Sequence, residues 1–491
     1  MRVRLLSRSS DLARLQTKFV QNAILTARPG LDVHLVTRSS LGDRDKRIDL
    51  WQTPDKGLFT SDLSAALVDG DADIAVHSWK DLPSAGYAGT VVAGTLPRAD
   101  PRDVLLLRRQ VLTVRPEAPE VLTSSPRRTC QLQQNLSGLL PWHISGVRPK
   151  SVRGNIPTRL AQLVSGQADG LVVAKAALDR LLSPASEPDV RQRVRAMLSQ
   201  LVWMVLPLRA FPTAPAQGAL ALEVSAARPD LRALVEEVSD PVTRRAVEAE
   251  RALLAAHGGG CHEAIGVTVL VRDYGVVTSM RGRASDGQEF DHWSLDPTTP
   301  LPPPPEPGAF WPRPGERDRS TRRALDVHVP DDGLGWWVAR ADAVPVALRP
   351  SASQLVWAAG VRTWRRLAAR GIWVHGCSDG LGDGESPDID ALADRTVRWR
   401  RLTHTRSRAA DAFATYEVDT PLPADLAART HFFWTSGSLM LDALERFPQI
   451  ARGWHARGPG HTSRVVGDAI GDPARVSIWL DYEQWLQHVN R

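Results

Sequence analysis

The chain has 491 residues, enough for three or four domains, and 43% of them are hydrophobic, which marks a globular protein with proper cores. Its 61 basic residues against 55 acidic ones leave a net charge of only +6, too little for a protein built to grip a nucleic-acid polymer. The basic residues are nearly all Arg, which holds carboxylates in a two-pronged way, so a small polycarboxylate ligand fits better than a phosphate backbone.

Three cysteines, Cys130, Cys261 and Cys377, are too few and too scattered for a disulfide framework or a zinc site, so a reducing cytoplasm is the expected location. No apolar run approaches the roughly 20 residues needed to span a bilayer, and the N-terminus lacks a sustained apolar core. Neither a secretion signal nor a membrane partner is expected.

Taken in order, Val3 to Leu6 predicts a first strand, and Leu12, Leu15, Phe19, Val20 and Ile24 follow at helical spacing. Between them lie Arg8, Ser9, Ser10 and Asp11. A helix start beyond a strand is an anion-binding arrangement, although these residues could equally be plain caps. Val33 to Thr37 predicts a second strand, leading to the loop Pro54-Asp55-Lys56-Gly57-Leu58-Phe59 and a helix carrying Leu63, Ala66 and Leu67. Ile74 to Val76 then reads as a buried strand closed by His77-Ser78-Trp79-Lys80-Asp81-Leu82-Pro83. In open α/β sheets ligands bind beyond the carboxyl ends of strands, which would put Lys80 and Asp81 on a crevice. A solvated Lys-Asp turn is the bland alternative.

After residues 97–103 the pattern restarts at Val104 to Leu107, which places a hinge crossing near residues 100–104. The second domain carries an arginine set: Ser124-Ser125-Pro126-Arg127-Arg128, then Arg153-Gly154-Asn155, Thr158-Arg159 and Arg180. Adjacent arginines at a helix start could hold two carboxylates, or could be a solvated basic face. Leu220 to Glu223, after Ala216-Gln217-Gly218-Ala219, predicts a strand returning to the first domain. A helix from Arg244 to His257 ends in Gly258-Gly259-Gly260-Cys261-His262-Glu263; a lone cysteine is usually a small core residue, but here it would sit on an uncluttered loop. Strands at Ile265–Val271 and Val276–Arg283 define a small third domain that runs into the stiff segment Leu301-Pro302-Pro303-Pro304-Pro305. Beyond it, Val344–Leu348, Ile372–Val374, Phe432–Trp434 and Val465–Val466 predict strands, and Leu355–Arg370 and Leu439–Phe447 predict helices.

Several of these segments are shared, in order, with one family. His77-Ser78-Trp79-Lys80-Asp81-Leu82-Pro83 resembles the H-S-x-K-D-x-P signature of hydroxymethylbilane synthase, or porphobilinogen deaminase, with Trp79 where Met is usual. Lys56-Gly57-Leu58-Phe59, T-S-S-x-R-R at Thr123–Arg128, R-G-N at Arg153–Asn155 and Gln217-Gly218-Ala219 match further motifs. Departures are Asp11 in place of Pro, Pro54 and Asp55 in place of glycines, Ala216 in place of Gly and Ala264 in place of Pro. The resemblance covers roughly residues 1 to 290. It implies two doubly wound α/β lobes like those of periplasmic binding proteins, residues 1–100 plus 213–238 and residues 101–212. A small α+β cofactor-anchoring domain (239–343) and a C-terminal α/β domain (344–491) would follow.

By the same resemblance, Asp81 is the catalytic group and a dipyrromethane cofactor is attached through a thioether to Cys261. Lys80, Ser125, Arg127, Arg128 and Asp81 would hold that cofactor, and Arg8, Ser10, Phe59, Arg153, Arg159, Arg180 and Gln217 would meet substrate. The implied partners are porphobilinogen and pyrrole intermediates, with no nucleic acid and no membrane. The C-terminal region loosely resembles uroporphyrinogen-III synthase, the next enzyme of the pathway, but its length suggests about one lobe where that family has two. It is therefore expected to be a non-catalytic remnant or a docking module for that enzyme, leaving isomer I as the main cyclised product. The rival readings are a bifunctional fusion that also makes uroporphyrinogen III and a non-catalytic two-lobed binding protein for carboxylates, which gives Cys261 no role.

Overall fold

A computed structural model describes residues 2–38, 60–83, 85–257, 264–283 and 287–491. The expectations for Pro54, Asp55, Lys56-Gly57-Leu58-Phe59 and Gly258–Glu263, Phe59 and Cys261 included, lie outside the described residues. The chain divides into two compact units, the first holding most of residues 1–292 and the second most of residues 293–491.

The first lobe is built on β1 (Arg2–Arg8), β2 (Asp32–Arg38), β3 (Ile74–Ser78) and β4 (Thr90–Gly94). The second lobe contributes β5 (Asp103–Arg108), β6 (Glu120–Leu122), β7 (Arg148–Lys150), β8 (Gly170–Ala174) and β9 (Leu201–Val205). The chain then returns as β10 (Leu220–Ser225), and the sheet orders are β2-β1-β3-β10-β4 and β7-β6-β8-β5-β9. β1, β2 and β3 run parallel, whereas β10 lies antiparallel to both β3 and β4. β5 is likewise antiparallel to its two neighbours, β8 and β9. Each lobe thus contains one strand that enters directly from a crossing segment and runs against the others.

Helices on both faces explain why the middle of β1 and most of β3 and β10 are apolar and buried. On one face Val3, Leu5, Ile74, Leu222 and Val224 pack with Val20, Ile24, Leu231 and Val235. On the other, Leu6 and Ala75 pack with Leu63, Ala66 and Leu67. Full burial of each aliphatic side chain contributes about 1.5–3 kcal/mol, so these layers dominate the lobe's stability. The helix Asp11–Ala27 starts at Ser10, whose hydroxyl accepts from the Ala13 N–H. The third domain pairs the helix Pro241–Ala256 with a sheet of β11 (Gly266–Arg272), β12 (Gly275–Arg283) and β13 (Glu289–Pro297). Leu254, Ile265, Val267 and Met280 form its core.

The C-terminal region departs most from expectation. It contains two sheets, where the sequence suggests about one lobe. β14 (Phe310–Trp311), β21 (His431–Trp434), β22 (Trp454–Arg457) and β23 (Val476–Ile478) form a parallel four-stranded sheet. β15 (Thr321–Ala324), β16 (Gly335–Val338), β17 (Val356–Ala358), β18 (Gly376–Cys377), β19 (Trp399–His404) and β20 (Ala412–Asp419) form the other, in the order β15-β20-β19-β16-β17-β18. The chain begins in the four-stranded sheet, builds the six-stranded one and returns. Residues 310–338, placed by the sequence reading in the anchoring domain, therefore pair with C-terminal strands.

Four local expectations also change. Ile372–Val374 forms no strand, and the strand lies instead at Gly376–Cys377. Val344–Leu348 forms no strand, because Pro345 and Pro350 break it and Val346 lies exposed. Gly360 divides the predicted helix Leu355–Arg370 into β17 and a helix over Val361–Ala368. Val465 and Val466 lie in the helix His461–Ile470.

Candidate active site

Trp79 explains how the Lys-Asp pair is presented. Its indole is buried with Leu82, Ala216, Ala219 and Val247, and the Trp79 backbone N–H donates to the Ala219 carbonyl at 3.1 Å. Trp79–Asp81 make a single tight turn at the end of β3, and Pro83 prevents any continuation of the ladder. Asp81 is left exposed and Lys80 half-buried. The Lys80 ammonium donates to Gln217 Oε1 at 3.3 Å. Burial, partly offset by Asp81 and reinforced by the nearby Arg128 charge, pushes its pKa down to about 8. Behind this turn His77 Nε2 meets Glu223 Oε2 at 2.9 Å, and Ser64 also donates to Glu223. That buried polar set fixes β3 against β10.

On the second lobe Ser125 caps the helix Pro126–Asn135, its hydroxyl accepting from the Arg128 N–H. Arg127 is buried and held through its two terminal nitrogens: it donates to Gln131 Oε1 and the Pro212 carbonyl, each at 3.0 Å, and to Asp103 Oδ2 at 2.9 Å. Arg128 grips the same carboxylate two-pronged, Nη2 to Oδ1 at 2.6 Å and Nε to Oδ2 at 3.1 Å. Gln217 Nε2 donates to Asp103 Oδ1 at 2.8 Å and to the Pro101 carbonyl at 2.6 Å. Burial opposes ionisation of Asp103, but Arg128 and Arg127 overcome it and hold the group far below the usual carboxylate range. Burial also lowers the Arg127 pKa, with Asp103 acting against it.

Arg159 completes the cationic group. Its Nε donates to the Gly154 carbonyl at 2.7 Å, and its pKa is lowered by burial and by Arg128, with Asp81 acting in the opposite sense. Gly154 takes φ +103°, and a Cβ there would come within 2.8 Å of Thr158, so the turn requires glycine. Asn155 caps the helix Ile156–Val164 by accepting from the Thr158 N–H at 3.0 Å. Arg180 donates to the Gly218 carbonyl at 2.7 Å, and burial takes its pKa down to about 10. Arg8 stands at the end of β1 and Arg153 between β7 and that helix, both half-buried.

Lys80, Gln217, Arg127 and Arg128 are therefore brought together by hydrogen bonds, with Arg159 and Asp81 beside them electrostatically. Ser10 and Ser125 serve as helix caps. Sequence reasoning missed Asp103, although an acid at the head of the buried run Val104–Leu107 was a usable signal. It missed Glu250 as well. That carboxylate receives Arg98 Nη1 at 2.7 Å, Arg98 Nη2 at 3.0 Å, the Ala216 N–H at 2.7 Å and the Val269 N–H at 2.8 Å.

Crowded, partly desolvated cations that keep lowered pKa values call for an anionic ligand. A group bearing several carboxylates fits this chemistry. Comparison with known proteins agrees. A family model described as "Porphobilinogen deaminase, dipyromethane cofactor binding domain" matches residues 3–233. A porphobilinogen deaminase of Moorella thermoacetica is 36% identical over 285 residues, covering 58% of this chain and 84% of that protein. Porphobilinogen deaminase 1 of Streptomyces coelicolor is 39% identical over 289 residues, covering 58% and 83%. Among solved structures, the BvgS periplasmic VFT2 domain of Bordetella pertussis aligns with 48% of this chain and 86% of its own at 14% identity, but its TM-score is only 0.28. The chain belongs to the porphobilinogen deaminase family. It is an enzyme of the transferase type, and its cofactor is a dipyrromethane.

Proposed function

We propose that this chain condenses four porphobilinogen molecules head to tail into hydroxymethylbilane, releasing ammonia at each step, on a dipyrromethane primer carried by Cys261. The observation that carries this reading is one exposed carboxylate, Asp81, set among partly desolvated cations at the end of β3. Cations alone would bind a polycarboxylate; this exposed anion is suited to a positive charge that develops on a pyrrole nitrogen as ammonia departs, and it can accept the pyrrole N–H. Lys80 and Arg128 hold carboxylates of the primer, with Ser125 supporting the same helix start and Arg127 backing it from the interior. Arg159, Arg180, Arg153 and Arg8 take the carboxylates of substrate and growing chain, while Ser10, Phe59 and Gln217 complete the contacts. The primer supplies a nucleophilic pyrrole carbon, and the chain's residues orient it and neutralise its acid groups.

The test is a pyrrole-specific colour reagent applied to acid-treated protein. Colour is expected from the parent and absent from Cys261→Ser. A colourless parent of unmodified mass overturns the reading in favour of a carboxylate-binding protein.

A second activity has its own support. The expectation of isomer I rests on the want of a second C-terminal lobe to enclose a large substrate, and that premise fails against the two sheets. A cavity of about 360 Å³ is lined from both parts of this region, including Arg322, Arg340, Arg401, Arg406 and Arg408, with Asp383 as its sole carboxylate lining residue among the described residues. Enclosure excludes spontaneous closure of the linear product, and arginines suit its acid groups. On this reading the chain is bifunctional and yields uroporphyrinogen III. Chromatography of the oxidised porphyrins tests it: isomer III should predominate and give way to isomer I in Arg340→Gln, and isomer I from the parent overturns it.

A further inference from the structure

Asp103 occupies the junction of three segments that belong to different parts of the first unit. It heads β5, the first strand after the crossing from lobe one to lobe two. Its two oxygens accept from Arg127 and Arg128 on the helix Pro126–Asn135 and from Gln217 on the return crossing. Gln217 passes the connection on, because its Oε1 accepts from Lys80 at the end of β3. An unbroken line of hydrogen bonds thus runs from Lys80 through Gln217 and Asp103 to both arginines.

Three features separate this carboxylate from an ordinary buried counter-ion. First, its side chain is 1% exposed, so no solvent competes for its oxygens and their directions are fixed by the four donor atoms of the three side chains that reach it. Second, it orients the Gln217 amide: with Nε2 committed to Asp103 and Pro101, the amide oxygen is the atom that faces Lys80. Third, it offsets one of the two arginine charges, leaving Arg128 with spare donor capacity while Arg127 is held inside by Gln131 and Pro212. Removing its charge would leave three cations close together with Asp81 as the remaining anion, and would strip Arg128 of its ion pair, leaving its bond to the Val172 carbonyl at 3.2 Å.

We propose that Asp103 is the positioning residue of the active site, aligning Arg128 and, through Gln217, Lys80 so that cations from both lobes present one set of donors to the acidic groups of cofactor and substrate. The inference rests on the reading of the site given under Proposed function. It goes beyond it by assigning the geometry to a residue that meets no ligand.

The test compares turnover and its pH profile in the full-length parent, Asp103→Asn and Asp103→Glu. The groups acting on Lys80 are Asp81 on its own turn, Arg127 and Arg128 on the second-lobe helix, and Asp103 itself. Asp103→Asn removes an attraction and leaves two repulsions, so the alkaline limb of the profile should move to lower pH. Turnover should fall about tenfold or more, and Asp103→Glu should restore part of both. Turnover within twofold of the parent, or an alkaline limb that stays put while turnover falls, overturns the proposal. Should Asp103→Asn fail to fold, Gln217→Leu cuts the line at its middle and keeps the carboxylate paired with both arginines. The same acidward movement is expected, and an unmoved limb counts against the proposal. A parent without pyrrole colour would instead defeat the functional reading itself, so the two failures are distinguishable.

Discussion

Replacing Glu250 by Gln tests how the third domain is held to the two lobes. The carboxylate is completely buried and receives four hydrogen bonds, two from Arg98 on the first crossing, one from Ala216 on the second and one from Val269 in β11. Glutamine has nearly the same shape but brings an NH2 group against donors, so at least one bond is replaced by a clash of like polarity. It also leaves the Arg98 guanidinium, only 10% exposed, without its charge partner. Breaking a buried pair from one side costs about 3–5 kcal/mol. Exposed Glu248, paired with Arg244 along the same helix at 2.9 Å, is the matched control, and Glu248→Gln should cost under about 0.5 kcal/mol. Hydrogen exchange read peptide by peptide is the appropriate assay, because a 491-residue chain of two units will not melt as one. At 1.4 kcal/mol per decade, protection of amides in β11 and the crossings should fall by roughly 100- to 4000-fold in Glu250→Gln. Protection equal to that of Glu248→Gln would refute the reasoning, and with it the view that this carboxylate clamps the three parts together.

Asp81→Asn should lower turnover by about 2.7–4 kcal/mol of transition-state stabilisation while the thermal melt barely moves, since the side chain is exposed; near-normal turnover would make Asp81 a surface residue. Lys80 should impose an alkaline limb on activity near pH 8, where its ammonium is lost. Because its folded pKa lies below the ordinary 10.5, the unfolded chain binds more protons between the two values. The Lys80 contribution to stability therefore rises with pH just where activity falls, and parallel melts and rate profiles will show whether the two diverge. In the C-terminal region, buried His455 accepts from the Trp434 indole N–H at Nδ1 and donates from Nε2 to the Ile450 carbonyl, so it is neutral. Burial depresses its pKa from 6.5 to about 4, which makes its stabilisation complete above pH 6.5 and progressively lost as the pH falls toward 4, by about 3 kcal/mol. Calorimetry between pH 7 and pH 4 should show that loss diminished in His455→Gln.

What the sequence revealed and concealed follows physical lines. The first lobe was legible because its strands are buried on both faces and therefore read as short apolar runs, and β10 was legible as a strand returning to that lobe. The Lys80-Asp81 turn was legible because Pro83 fixes where β3 must stop. Asp103 and Glu250 were concealed because a buried acid looks like a surface acid until its arginines, far away in sequence, are brought to it. The C-terminal region was misjudged for another reason. Its strands are only two to eight residues long, and Val465 and Val466 have β-branched side chains yet sit in a helix. Short strands leave little periodicity to read, so a second sheet went uncounted.

The placement of β10 bears on how the chain is made. Lobe one is finished by a strand at residues 220–225, whose Leu220, Leu222 and Val224 fill its core and whose Glu223 supplies the partner of His77. All five strands of lobe two, by contrast, lie between residues 103 and 205. On the ribosome the earlier-born lobe must wait with β3 and β4 unjoined, while the later-born lobe already has every strand it needs. Vectorial synthesis therefore favours closure of the second lobe first, and the nascent first lobe is the intermediate with open strand edges that a chaperone would meet.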